Sequence, residues 1–191
     1  NNHSVTCNGS AATIVNGNFY NLIFNASTLV VTLTNTTVVN NNLVVSALVT
    51  LNGSPLEVKG DITFTDTSWA GSSVIQLTGT ASQRTVGGGI CGVSMDINKP
   101  SGSHILMSNL NLVGAGNDFT LYDGELNLDG FDITVPDLFT VYDKLKLMGN
   151  ENIRVNNISN SIAITNPNFT ISATSSTIEY FDSAIIATIT S

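Results

Sequence analysis

Charge is what this 191-residue chain has least of. Six Lys+Arg against 14 Asp+Glu leave a net charge of −8, and charged residues make up only 10% of the chain, where about a quarter is usual. No charged side chain precedes Glu57, with His3 counted as neutral. Six scattered cations do not build a phosphate-tracking surface, so no nucleic acid is expected as partner. No apolar run approaches the roughly 18 residues of a membrane helix, so no membrane insertion is expected. Low charge does not mean disorder here, because the chain is 42% apolar and disordered chains are poor in apolar residues. The two cysteines, Cys7 and Cys91, constrain the redox compartment weakly. They would form a disulfide or remain two buried thiols, and the sequence leaves both open.

Residue 1 is Asn and no signal-peptide pattern follows. A processed product or a piece of a longer protein is therefore expected, with one domain the natural size.

What the chain has in quantity is Asn (24) and Ser+Thr (43). Seven Asn-x-Ser/Thr sequons occur, at Asn2, Asn8, Asn25, Asn35, Asn52, Asn157 and Asn168. Composition alone supplies about five, so the sequons carry no argument for glycosylation. Helical periodicity is missing throughout. Apolar and β-branched residues alternate with Thr, Ser and Asn instead, as in Leu29–Thr34, Ser46–Leu51 and Asp132–Val135. Each run is short and ends in Gly, Asn, Asp or Pro. Four prolines leave the strands free to pair.

Internal repeats select the architecture. Gly9-Ser10-Ala11, Gly79-Thr80-Ala81 and Asp182-Ser183-Ala184 each follow a strand and precede a Thr-aliphatic pair. Leu51-Asn52-Gly53-Ser54-Pro55-Leu56-Glu57-Val58 aligns with Leu128-Asp129-Gly130-Phe131-Asp132-Ile133-Thr134-Val135. Leu126 and Leu128 share one face, as do Ile133 and Val135, and the odd count between the two pairs breaks alternation at Asp129-Gly130. A glycine turn that reverses parity carries a strand around a corner with its apolar side still inward. Short strands, corner turns and repeats predict an all-β fold, a right-handed parallel β-solenoid. A β-sandwich or jelly roll shares the strand density and is the competing architecture.

Asn18-Phe19-Tyr20-Asn21-Leu22-Ile23-Phe24-Asn25, Leu126–Val135 and Ser176–Ala184 together resemble the punctuation of large repetitive surface proteins of Bacteroidetes-type bacteria, with similar arrays in phage and virus fibres. The resemblance spans approximate units 4–72 and 73–175 and a closing element 176–191. In the second unit Ile90–Ile97 replaces the aromatic-Asn-Leu strand, and 137–172 does not align. The resemblance implies an extracellular, non-enzymatic stalk or adhesive module, and it carries over no functional residue.

Candidate chemistry is sparse. His3 and His104 have no metal-ligating companions in sequence. Half of the acids fall between Asp118 and Asp143. Asp118, Asp123 and Asp143 are the loop candidates for calcium, which needs several converging oxygens. The competing reading places Asp123, Glu125 and Asn127 in a solvated outer ladder opposite Leu126 and Leu128. Glycoside hydrolysis needs paired carboxylates on one groove, and lyase chemistry needs cations that Arg84 and Arg154 do not supply, so no enzyme is expected. Gly87-Gly88-Gly89 reads as a turn rather than a phosphate loop. Trp69, Tyr122, Tyr142 and Tyr180 would stack on sugars or pack in the core or at its rim. Thr32, Thr34, Thr36 and Thr37 make the best run for an ice-binding face, without a strict repeat.

The leading expectation is a structural or adhesive segment of a surface-exposed or virion fibre, spike or filament. The runner-up is a carbohydrate-binding or carbohydrate-degrading solenoid. A solenoid cut at its closing elements leaves open strand edges, so self-association or neighbouring repeats are expected as partners, with a glycan or host surface as a further one. The charge-free first 56 residues are where a partner subunit is expected to sit.

Overall fold

The computed structural model describes residues 3–9, 13–25, 28–46, 48–64, 69–87, 90–147, 151–155, 163–164 and 177–180. The closing element 176–191 therefore lies outside the described residues, apart from the strand Thr177–Tyr180.

Alternation dictates the local structure. Asn21–Phe24, Leu43–Val45, Leu56–Val58 and Ile133–Val135 each bury every second residue. A three-residue strand cannot stand alone, so each must pair with another. It pairs with the strand about one coil later, and every ladder is parallel. Parallel pairing throughout excludes the antiparallel sandwich. The strands stack as a β-solenoid of about 7 turns, with no helix among the described residues.

The strands form three columns. The first face runs from Ser4–Cys7 through Asn21–Phe24, Leu43–Val45, Ile62–Phe64 and Gln83–Val86. The second runs through Asn18–Phe19, Thr37–Val39, Leu56–Val58 and Val74–Leu77. The long strands Ser94–Leu106 and Phe119–Asn127 belong to both and join them into one 14-stranded sheet. The third face is a four-stranded stack from Thr13–Val15 to Trp69–Gly71, followed by a five-stranded one from Ile90–Cys91 to Thr177–Tyr180.

Inward residues stack on their counterparts. Val39, Val58, Leu77, Ile97, Leu121 and Val141 are consecutive partners in one such column, and all are 0% exposed. Thr37, Leu56, Ile75, Met95, Phe119 and Phe139 form the next. The Phe119 and Phe139 rings lie 5.7 Å apart. Each fully buried aliphatic side chain contributes about 1.5–3 kcal/mol. Thr37 thus points inward, donating to Val15 O at 3.4 Å, while Thr32, Thr34 and Thr36 do not. The threonine run does not present one outer face.

The corners explain much of the Asn and Asp content. A coil that turns leaves backbone N–H groups off the ladders, and these need acceptors. Asn21 Oδ1 accepts from Asn42 N at 3.1 Å, Asn52 Oδ1 from Ser72 N, Asp61 Oδ1 from Arg84 N, Asn109 Oδ1 from Asp132 N and Asp132 Oδ1 from Asn152 N. Each bond joins one coil to the next. The parity break at Asp129-Gly130 is a turn with positive φ at both residues, 51° and 87°, closed by Phe131 N donating to Leu128 O. This primed geometry reverses the chain tightly. Its aligned counterpart, Leu51–Val58, turns from the third face to the second, whereas Leu128–Val135 turns from the first to the third. The repeated motif marks a corner, not a fixed place in the coil.

Candidate functional site

The corner between the second and first faces is irregular in the middle coils. Val74–Leu77 and Gln83–Val86 are separated by a loop at 78–82, and the register shifts twice where Ser94–Leu106 meets Phe119–Asn127. These offsets open a groove of about 390 Å³ on the outside of the corner. Ser82, Ser101 and Ser103 line one side, and Asp123, Glu125, Asp143 and Lys144 the other. Ser82 and Ser103 hydroxyls lie 3.3 Å apart. Asp143 Oδ2 accepts from Gly124 N at 2.7 Å, which fixes that carboxylate. Gly124 has φ 98°, and a Cβ there would come within 2.9 Å of Lys99 Cβ. Directly before Asp123 and Asp143 in the chain stand Tyr122 and Tyr142. Their rings stack with centroids 5.8 Å apart and 13° between planes, and they are 51% and 43% exposed.

The groove is fastened from inside. Lys99 continues the inward parity of Met95 and Ile97, and is 0% exposed. Its Nζ donates to Gly79 O at 2.5 Å, Ala81 O at 2.8 Å and Gln83 Oε1 at 2.6 Å. Three donors meet three acceptors, which is what a buried ammonium requires. Burial nonetheless lowers its pKa from 10.5 to about 8. Gln83 Nε2 in turn donates to Val58 O and Gly60 O. His104 pairs with Gln83 in the ladder, and its Nε2 lies 2.7 Å from Thr85 Oγ1. Burial, with Lys99 nearby, pushes the imidazole down to about 3. A hydroxyl beside an imidazole resembles a nucleophile and its base. Both groups are fully buried, so this pair serves the core.

The sequence candidates separate. Asp123 and Asp143 meet at the groove, but Asp118 stands on the second face, with Oδ1 taken by Leu138 N at 3.0 Å. Among the described residues no group of three or more His, Cys, Asp or Glu side chains is placed to hold a metal ion. The solvated ladder holds for exposed Asp123 and half-buried Glu125. It fails for Asn127, which is buried and accepts from Asp129 N at 3.1 Å, shaping the turn that follows. Trp69 is a core residue, 2% exposed and edge-on to Phe64 at 5.0 Å, so it offers no sugar platform. The Tyr180 side chain lies outside the described residues. Cys7 and Cys91 are not bonded. One lies in the first coil of the first face and the other on the third face four coils on, beyond the reach of about 7 Å between Cα atoms.

Sequence reasoning missed Lys99 and Gln83, and weighed His104 only as a metal ligand or triad member. Parity was the available signal: Lys99 follows Met95 and Ile97 at steps of two, and His104 precedes Leu106 likewise.

Comparison with known protein families, curated proteins and solved structures found no match.

Proposed function

We propose that the chain is a non-catalytic structural or adhesive rod segment of an extracellular or virion fibre, spike or filament, stacked on copies of itself or on neighbouring repeats. One observation carries this reading. Val5 occupies the inward column that continues through Leu22 and Leu43, yet it is 38% exposed, while Leu22 beneath it is fully buried. Among the described residues the first coil thus presents its core edge-on, beside an edge of Ser4–Cys7 that no described strand pairs. Open edges of this kind are templates for a further strand. Corner bonds from coil to coil supply the stiffness such a rod needs, and the repetitive surface-protein resemblance points the same way.

Analytical ultracentrifugation tests the proposal. Elongated, concentration-dependent oligomers are expected, and Val5→Lys should weaken them. A monodisperse monomer at every concentration up to the solubility limit contradicts it.

A further inference from the structure

We propose that the corner groove beside Tyr122 and Tyr142 binds a neutral hexose unit of a glycan. This goes beyond the rod reading and does not rest on assembly.

The groove's size falls within the range of about 300–1,000 Å³ typical of small-ligand sites. Its lining differs from that of a drug-like pocket, being built of hydroxyls and carboxylates. Hydroxyls both donate and accept, and carboxylates accept from two directions. This is the complement of a ring that carries several hydroxyls. Three carboxylates against the single Lys144 ammonium give the groove a net negative charge. That disfavours a uronate, a sialic acid or a phosphate and leaves neutral sugars. The two tyrosines lie outside the groove's lining, each one residue before a lining carboxylate, and offer the apolar contact at its edge. They stand next to the groove in the chain, near-parallel and about half exposed, where a soluble surface rarely holds two large aromatic rings together. Tyrosine gives rigid, amphipathic contact area at low entropic cost, and its ring faces attract the positively polarised C–H bonds of a sugar ring.

The floor is preorganised. Lys99 ties the 79–83 segment from within, and Asp143 holds Gly124. Little ordering cost therefore remains to be met on binding. Lys99 is a positioning residue and does not touch the ligand.

The test uses the full chain with methyl glycosides of glucose, galactose, mannose and N-acetylglucosamine, and methyl glucuronide as the anionic control. Saturation-transfer NMR reads binding, in EDTA so that no metal bridges the contact. At least one neutral glycoside should bind saturably in the millimolar range. Tyr122→Ala and Asp123→Asn should each weaken it by about five- to tenfold, with circular dichroism unchanged. Both side chains are exposed, so both variants should fold. Lys99→Arg serves as a second probe, since it keeps the charge but not the fit, and should weaken binding with the groove side chains intact. Failure of all four neutral glycosides, equal binding of the glucuronide, or binding indifferent to Tyr122→Ala overturns the proposal. None of these results bears on sedimentation, so the rod reading stands or falls separately.

Discussion

Lys99 Nζ lies 2.6 Å from Gln83 Oε1 inside the solenoid, and no carboxylate supplies any of its hydrogen-bond acceptors. The charge is held by an amide and two main-chain carbonyls. This is an expensive arrangement to break on one side only, because the freed acceptors stay buried.

Lys99→Met is therefore expected to destabilise the chain by about 3 kcal/mol, read as a lower urea midpoint at unchanged m value. Adding Gln83→Leu should deepen the loss, since Val58 O and Gly60 O then lose the Gln83 Nε2 donor as well. A Lys99→Met variant as stable as the parent would mean the cluster contributes nothing.

His104 gives a pH dependence of defined sign. Its pKa is 6.5 when unfolded and about 3 when folded. A depressed folded value adds stability above the unfolded pKa, and this is lost as pH falls toward the folded one. Unfolding free energy should drop by about 1.4 kcal/mol per pH unit between about 6 and 3 from this group. Lys99, which faces the imidazole, stays charged across that window. His104→Gln should flatten the acid limb of the stability profile, and an unchanged limb would contradict the assignment.

The turn at Asp129-Gly130 separates backbone strain from packing. A Cβ at Gly130 would meet nothing within 4 Å. Gly130→Ala should thus cost only about 1 kcal/mol, from its left-handed φ of 87°. Asp129→Gly, at φ 51°, should be neutral or slightly stabilising by the same argument. Thermal melts of the two variants check both signs.

The thiols should differ in reactivity. Burial raises both pKa values, and the Cys91 thiol reaches about 12. The thiolate is the reactive form. A thiol reagent should label Cys7 in the native protein and Cys91 only after unfolding, with intact mass showing two reduced cysteines beforehand.

Much of the fold was legible because solenoid packing depends on parity, which short range fixes. The alternation of Leu126 and Leu128, the break at Asp129-Gly130 and the resumption at Ile133 and Val135 all read correctly. The coil length did not emerge. Ladder partners lie 17 residues apart at Ser4 and Asn21 but 25 apart at Ile153 and Ile178, and a ladder asks only for inward parity, not for matching residues. The acids were visible as a cluster, but their separation was not. Asp118 and Asp143 are close to one coil apart in sequence, but the ladder steps from Phe119 to Phe139, so Leu138 is the counterpart of Asp118 and Asp143 falls beyond it at the next corner. Asn127 was placed outward by alternation, but alternation ends at the corner, where its side chain turns in to accept from Asp129 N, and Trp69 was left open because its partner Phe64 comes from a neighbouring column.

Parallel stacking of coils underlies the rod, the corner bonds and the groove alike. Val38, Glu57, Gln76 and Asp96 are successive outward partners on the second face. Each step should add the strand spacing of about 4.8 Å. Spin labels at Val38, paired in turn with Glu57, Gln76 and Asp96, should report separations rising by that increment in electron paramagnetic resonance. Separations that fail to rise in that order would contradict the solenoid.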